Sequence, residues 1–245
     1  MKKIPTKKQP KTSPENGPRT ISGAMLVSHQ LMSTLTAMKW SLKMLDQGDF
    51  GPVSSGQKNI LEKIGQRNDM LISLANRVLH ASKLEDETYC CNMGLVDMTA
   101  MVTSTMEYCK EIAAQKNISM EFEVPPHKIL LPKADEEMLK VAVQNIFDNA
   151  IKYTRDGGNV KISLHSDEKN ATLCIQDSGI GVPENQKRDL FQKFFRAENA
   201  VKLHPAGSGL GLFICKSIIE AHGGKIWFDS TENQGSSFYI SLPVE

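Results

Sequence analysis

Three polar side chains at helical spacing stand out in the segment ADEEMLKVAVQNIFDNAIKYT (134–154). Asn145, Asn149 and Lys152 follow one another at i, i+4 and i+7, so a helix places them on one face. An asparagine carbonyl is a hard oxygen ligand that suits magnesium, which combines few protein ligands with phosphate oxygens. A lysine beside it can offset phosphate charge. A solvent-facing helix surface has the same pattern, so the stripe alone leaves both interpretations open.

A carboxylate followed by two glycines comes next, in IQDSGIGVP (175–183). Asp177 ends a predicted strand, and Gly179 and Gly181 follow it. An ionised aspartate only accepts hydrogen bonds, which suits the exocyclic amine of adenine. The glycines allow the backbone to approach a flat base. A plain turn explains the same residues, because Asp-Ser-Gly is common turn chemistry.

A third candidate is the alternating glycine segment in AGSGLGLFICKSIIEAHGG (206–224). Gly207, Gly209 and Gly211 lead into a predicted helix, and the backbone N–H groups of such a loop form an anion site. The segment matches neither a Walker A loop nor the G-x-G-x-x-G dinucleotide fingerprint. Each glycine cluster alone is therefore unspecific.

The last candidate is His29, in SHQLMSTLT (28–36) near the start of a predicted helix. That helix carries a heptad stripe formed by Leu31, Leu35, Met38, Leu42 and Leu45. In this frame His29 lies off the apolar seam, which predicts a solvent-facing imidazole. Such an imidazole is either a reacting group or an ordinary surface polar residue.

The elements that must position these side chains form two predicted modules. Residues 23–88 are predicted to be an antiparallel helical hairpin, because DQGDFGPVSSGQ (46–57) separates two apolar stripes. The second stripe comprises Ile60, Ile64, Leu71, Leu74, Val78 and Ala81. One hairpin leaves its stripes partly uncovered, and two hairpins can cover each other. This predicts a homodimer built on a four-helix bundle.

Residues 95–245 are predicted to form a second module in which helices and strands are interspersed. Strands are expected at 117–124, 159–166 and 171–177, and a final hairpin pairs GKIWFDS with SSFYISLP. Helices are expected at 97–116, 134–154 and after Gly209. We expect one mixed sheet covered on one face by helices, an α+β fold in the form of an α/β two-layer sandwich.

Composition limits the class of protein. The chain has 245 residues, of which 40% are hydrophobic and 23% charged, as in soluble globular proteins. Its net charge of +1 provides no global field that selects nucleic acid or a membrane. Five cysteines without zinc spacing argue against a disulfide scaffold and predict a reducing, cytoplasmic setting. No apolar run is long enough for a transmembrane segment, and the basic residues 1–22 are predicted to be a disordered tail.

Taken in order, four segments resemble the N, G1, F and G2 boxes of the histidine-kinase ATP-binding domain, which has the Bergerat fold of the GHKL ATPases. They are NIFDNAIKYT, DSGIGVP, FQKFFRAE and GSGLGLFICK. The hairpin with SHQLMSTLT resembles the dimerisation and phosphoacceptor domain of two-component sensor histidine kinases. The resemblance extends from about Gly23 to the C-terminus. It implies a kinase that uses ATP and Mg2+, autophosphorylates on His29 and passes phosphate to an aspartate of a response-regulator receiver domain.

The resemblance also assigns roles to single residues. Asn145 matches the magnesium-binding asparagine of the N box, and Asp177 matches the adenine-binding aspartate. The other positions that match nucleotide-binding residues are Asn149, Lys152, Tyr153, Gly179, Gly181, Arg196, Gly207, Gly209, Leu210 and Gly211. Arg196 belongs to the F box with Phe191, Phe194 and Phe195, and by this comparison it reaches phosphate. Residues 198–206 would be the mobile ATP lid.

The acceptor segment departs from the family pattern His-acid-Leu-Arg-Thr-Pro-Leu. Gln30 replaces the acid, Met32 the arginine, Ser33 the threonine and Thr34 the proline. Gln30 can orient the imidazole but cannot take its proton, and losing a general base costs about 10²–10⁴-fold. Ser33 keeps a hydroxyl that can place a hydrolytic water, and Thr34 removes the helix kink that proline forces.

These departures give a second hypothesis, an ATP-binding signalling scaffold or pseudokinase with impaired autophosphorylation. The positioning apparatus outweighs a single proton acceptor, so the catalytic kinase is the preferred hypothesis. A GHKL ATPase of the topoisomerase or chaperone kind is a third, and the heptad hairpin weighs against it.

Overall fold

The computed structural model describes residues 23–85, 92–205 and 207–245. The predicted disordered tail at 1–22 lies outside these ranges, as do the boundary between the two modules at residue 88 and Ala206 of the predicted lid. The side chains of residues 23–29 are also outside the description. The prediction that the His29 imidazole faces solvent therefore stays a prediction.

Two long helices form the N-terminal part, α1 (Gly23–Gln47) and α2 (Ser55–Glu85). A turn joins them in which Gly48 and Gly51 both have positive φ. The Asn68 amide donates to the Leu35 carbonyl at 2.9 Å, and Lys39 pairs with Asp69 at 2.8 Å, so the helices pack side by side. Stripe residues stay exposed within one chain, with Leu31 and Leu71 each at 50%.

Helix α1 runs without interruption through Thr34, the position at which the pattern that this segment resembles has proline. The Thr34 hydroxyl donates to the Gln30 carbonyl at 3.1 Å, one turn earlier in the helix. Proline at this position would lack the backbone N–H and would clash with that carbonyl. The substitution of proline by threonine thus keeps α1 continuous below His29.

The second part contains seven strands, four helices and one 3₁₀ helix within the described residues. The strands are β1 (Gly94–Asp97), β2 (Ser119–Glu123), β3 (Leu130–Ala134), β4 (Asn159–Ser166), β5 (Asn170–Asp177), β6 (Lys225–Thr231) and β7 (Gly235–Pro243). The helices are α3 (Met98–Gln115), α4 (Glu136–Tyr153), α5 (Glu198–Leu203) and α6 (Gly211–Ala221), and the 3₁₀ helix spans Glu184–Asp189. Among the described residues no helix combines the length and apolar character needed to cross a membrane.

Five strands form one mixed sheet in the order β2-β4-β5-β7-β6. Strand β2 pairs parallel with β4, and the other pairs are antiparallel. Alternate residues of β4 and β5, such as Ile162 and Leu173, are buried against α4 and α6, whose own core residues include Phe147 and Ile218. The expected α+β arrangement of a mixed sheet with helices on one face is confirmed.

A second, two-stranded sheet of β1 and β3 was not among the predicted elements. Strand β1 has four residues and β3 has five, including Pro132, so neither shows the alternation that predicts a strand. The predicted helix at 134–154 consequently begins two residues later, at Glu136.

The start of α4 is fixed by a buried hydrogen-bond network around Asp135. Its carboxylate accepts the N–H of Met138 at 3.1 Å, as an N-cap does, and the N–H of Asn92 at 2.8 Å. The Asp135 N–H donates to Nε2 of His222 at 2.9 Å, and Nδ1 of His222 lies 2.7 Å from the Ile218 carbonyl. The imidazole therefore carries its proton on Nδ1, and it joins the end of α6 to the start of α4.

Candidate functional site

An open pocket lies between α4, the end of β5 and the loops that precede α5 and α6. It encloses about 820 Å³ of empty space including its mouth. Nine residues predicted from the sequence line it: Asn149, Lys152, Tyr153, Asp177, Gly181, Arg196, Gly207, Gly209 and Gly211. The predicted residues thus come from four separate segments of the chain and meet around one cavity.

Three of the twelve predicted nucleotide-binding residues do not line this pocket. Asn145 lies one turn before Asn149, is 7% exposed, and donates its amide to the Val141 carbonyl at 2.8 Å. It lines a different groove, which also includes Lys39 and Asp69 of the N-terminal helices. Helical spacing correctly places Asn145 and Asn149 on one face of α4, but Asn149 lines the first pocket and Asn145 lines the second groove.

The other two are Gly179 and Leu210. Gly179 is buried beside Tyr153 at the end of α4, and its N–H donates to Asp177. Leu210 is 4% exposed and belongs to the hydrophobic core. Both residues are buried directly beneath residues that line the pocket, and they support those residues.

Asp177 is a buried carboxyl group, 6% exposed, at the end of β5. Burial raises its pKa to about 6, although the N–H groups of Gly179 and Ser236 lower it. Both donors reach the same oxygen, Oδ1, at 2.8 and 3.3 Å. Oδ2 is therefore the oxygen that can accept a hydrogen bond from a ligand.

Two glycines have backbone conformations and close contacts that exclude a side chain. Gly181 has φ +61°, and a Cβ there would lie 2.0 Å from the Thr231 carbonyl oxygen. Gly209 has φ +68°, and a Cβ there would lie 2.6 Å from the Phe194 backbone carbon. The pocket walls at these positions consist of backbone, as the sequence predicted.

The predicted lid contains the short helix α5 and is held at several points. The Asn199 amide donates to the Gly181 carbonyl at 2.9 Å. Arg196 donates to the carbonyls of Ala200, His204 and Pro205, the last at 2.8 Å. The guanidinium thus holds the lid backbone, which differs from the predicted contact with phosphate. Three of the five N–H donors of Arg196 thus bond to carbonyls within nine residues of it.

The three phenylalanines of the predicted F box have different environments. Phe195 lines the pocket, whereas Phe191 packs against Phe228 with ring centroids 5.8 Å apart. Phe194 is 71% exposed and has φ +64°, a left-handed conformation that is uncommon for a bulky residue. Only one of the three is placed to contact a ligand in this cavity.

Sequence reasoning missed several residues that line the pocket. Ser236 and Phe238 come from β7, whose register pairs Ser236 with Asp177. Alternation in SSFYISLP indicated that these two residues share a face, but not that β7 lies beside β5. Asn199 also lines the pocket, and its predicted place in a mobile lid gave no sign of its contact with Gly181.

The arrangement of polar groups fits a purine with an anionic tail. The cavity lining combines a carboxylate with the apolar side chains of Ile180, Val182 and Phe238. It also includes an amide, an ammonium group and a glycine loop at the start of α6. Carboxylate acceptors match an exocyclic amine, and helix N-termini with glycine loops match phosphates.

Comparison with known proteins agrees with this geometry. Residues 134–245 match the family model for the histidine kinase-, DNA gyrase B-, and HSP90-like ATPase. The sensor protein kinase WalK of Staphylococcus aureus is 30% identical over 223 residues, which are 89% of this chain and 52% of that sequence. The WalK of strain JH9 is matched over 36% of its length, so the chain spans about half or less of these curated relatives.

Two solved structures are similar as well. A mycobacterial sensor histidine kinase, MprB, is 31% identical, with a TM-score of 0.53 over 62% of this chain and 97% of that one. Full-length ShkA, solved in complex with AMPPNP, has a TM-score of 0.70 over 90% of this chain and 45% of that one. Its identity is 24%, so this second likeness concerns the fold.

Proposed function

Because the chain belongs to the sensor histidine kinase family, we propose that it is an ATP-dependent protein-histidine kinase core. In this proposal it autophosphorylates on His29 and passes the phosphate to an aspartate of a response-regulator receiver domain. The observation that carries the proposal is the buried Asp177 carboxylate, with one oxygen engaged by backbone and the other available, in a cavity that a glycine loop also lines.

The nucleotide is proposed to enter with its base toward Asp177. Oδ2 accepts a hydrogen bond from the exocyclic amine of adenine, and Ile180, Val182 and Phe238 cover the faces of the ring. The ammonium of Lys152 and the backbone N–H groups at 207–211 are near the phosphates. That ShkA was solved with AMPPNP supports a nucleotide site in this fold.

Asn149, rather than Asn145, is proposed as the protein ligand of magnesium. Asn149 lines the nucleotide pocket, whereas Asn145 lines a different groove and donates its NH2 group to the Val141 carbonyl, with its oxygen beside Gly211. When bound, the metal supplies charge neutralisation on the phosphate oxygens. Asn149 would hold one coordination position and so fix where the phosphates lie.

His29 is proposed to attack the γ-phosphate as a neutral imidazole. A bond forms between the imidazole nitrogen and phosphorus as the bond between phosphorus and the β–γ bridging oxygen breaks. Gln30 is exposed and cannot accept the released proton, so water takes it. Ser33, also exposed, is proposed to place a water for dephosphorylating the partner.

The exposed stripes of α1 and α2 are proposed to join two copies of the chain in a four-helix bundle. Residues 23–88 would form this dimerisation and phosphoacceptor domain, and residues 95–245 the ATP-binding domain. The relatives named above are kinases, and they give no support to a non-catalytic scaffold.

The test is the initial rate of acid-labile phosphate incorporation from γ-labelled ATP. We expect slow labelling of the wild type and none of His29→Ala. Gln30→Glu is expected to label faster, and a gain of about tenfold corresponds to roughly 1.4 kcal/mol. Equal labelling of His29→Ala and wild type would remove the phosphoacceptor assignment. Label only on Gln30→Glu would instead favour the scaffold.

A further inference from the structure

The carbonyl groups at the end of α4 form an unusual cluster. The last four carbonyls of a helix have no partner within it. Here Ile151, Lys152, Tyr153 and Thr154 all accept hydrogen bonds from outside the helix. The donors come from three other parts of the chain, and two of these border the nucleotide pocket.

Lys116, just after α3, provides most of these donors. Its half-buried ammonium donates to Ile151 and Thr154 at 2.8 Å each and to Lys152 at 3.3 Å. An ammonium has three donors, and three carbonyls receive them. A cation at this position also complements the negative end of the α4 dipole. Lys116 therefore fixes the last turn of α4, from which Lys152 and Tyr153 extend into the pocket.

His204, in the lid, approaches the same carbonyl oxygen from the other side. Its Nε2 lies 2.8 Å from the oxygen of Lys152, and since a carbonyl only accepts, Nε2 carries the proton. The His204 ring also meets the Tyr153 ring edge-on, with centroids 6.0 Å apart. One backbone oxygen thus receives a donor from the residue that follows α3 and a donor from the lid.

We propose that the Lys152 carbonyl couples the lid to the nucleotide pocket, with Lys116 holding the oxygen in place and His204 engaging it from the lid. Both are positioning residues, and the proposal rests on the proposed ATP-binding function. Loss of Lys116 loosens the end of α4 and removes the fixed acceptor of His204. Loss of the His204 side chain removes the bond between the lid and the Lys152 carbonyl and leaves α4 intact, while the contacts of Arg196 and Asn199 remain.

The two substitutions are therefore expected to be non-additive. Lys116→Met should raise the ATP dissociation constant and speed nucleotide release by roughly tenfold, as loss of a hydrogen bond to a charged group does. His204→Ala should speed release by roughly threefold to tenfold, as loss of an ordinary hydrogen bond does. The double variant should fall well short of the product of the two effects, because both act through one oxygen.

The experiment measures the release rate of a fluorescent ATP analogue by stopped flow, with ATP affinity from calorimetry and folding from circular dichroism. Lys116→Arg should recover most of the affinity, since guanidinium also presents several donors. Lys110→Met is the matched control, an exposed lysine of α3 for which the described residues provide no hydrogen-bond partner. It should leave both affinity and release unchanged.

The outcomes separate this inference from the proposed function. A wild type that binds no ATP overturns both. A wild type that binds ATP while Lys116→Met binds and releases it equally well overturns the coupling alone, as does a double variant whose effect equals the product. Should Lys116→Met fail to fold, His204→Phe provides the test of the coupling. This variant keeps an aromatic ring beside Tyr153 but cannot donate a hydrogen bond to the Lys152 carbonyl. Release as slow as in wild type then overturns the proposal.

Discussion

Asp177 combines two opposite dependences on pH in one side chain. Its pKa is about 6 in the folded chain and 3.8 as an isolated group, because burial penalises the charged form. Below about pH 4 the carboxyl is protonated in both the folded and the unfolded chain. The contribution of this group to the free energy of unfolding is then at its maximum. As pH rises from about 4 to 6 the unfolded chain loses its proton first, so the free energy of unfolding falls.

We predict that ATP affinity changes in the other direction. Only the ionised carboxylate accepts from adenine, so affinity should fall toward tenfold per pH unit below about pH 6. Calorimetry with ATP at pH 5, 6 and 7.5 measures this.

The matched control is Asp177→Asn, whose side chain does not titrate. Any pH dependence of its ATP affinity comes from ATP itself and can be subtracted from that of the wild type. The Asp177→Asn variant should bind more weakly at pH 7.5 and lose the extra pH dependence. A wild type and a variant with parallel affinity profiles would contradict the role of Asp177.

Residue types and spacing predicted most of the residues that line the pocket. They did not predict that Asn145 and Asn149 line different cavities. Asp177, Gly181 and Gly209 line the pocket, and the two glycines stand where a close backbone contact leaves no space for a side chain. Asn145 shows the limit, because helical spacing gives the angle of a side chain about the axis and not which cavity it reaches. That depends on how α4 packs beside α3 and α6, which no local pattern specifies.

At the scale of elements, the cap of α4 should contribute more to stability than an exposed cap of the same kind. We predict that Asp135→Ala lowers the free energy of unfolding by at least about 2 kcal/mol, since it removes an N-cap, leaves the buried N–H of Met138 unpaired and removes the bond to the Asn92 N–H. Urea unfolding measures the change.

Asp97→Ala is the comparison, because Asp97 caps α3 through the Ala100 N–H at 2.9 Å on the protein surface. Solvent can replace that cap, so its loss should cost about 1 kcal/mol. Equal costs for the two substitutions would show that burial of the α4 cap adds nothing.

Elements with a clear periodicity were predictable, and elements without one were not. The alternation in β4, β5 and β7 and the apolar stripe of α4 identified them from sequence. Strands β1 and β3 exist because they pair with each other across about 35 residues of chain, which is a tertiary effect. The parallel pairing of β2 with β4 has the same origin.

For the whole molecule, we predict a homodimer whose stability depends on the exposed stripes. Met38→Glu should shift the chain to a monomer at micromolar concentration. It places a charge in the apolar interface between the two hairpins of the four-helix bundle. Light scattering measures the mass. Met38 is 45% exposed within one chain, so its substitution costs the isolated fold little.

Met44→Glu is the matched control, on the same helix and 41% exposed, but outside the heptad stripe. It should leave the dimer intact. A wild type that is monomeric, or two variants that dissociate alike, would count against the four-helix bundle.

The unbroken course of α1 also has a mechanical consequence. A helix of 25 residues is about 37 Å long and, with every turn bonded, it resists torsion along that whole length. Proline in place of Thr34 would act as a joint that absorbs twist one turn beyond His29. Without that joint, a rotation applied at Gly23 reaches Gln47 with little loss. We therefore expect α1 to turn as one rigid element, so that a torque at one end moves the proposed phosphoacceptor His29 and the far end of the helix together.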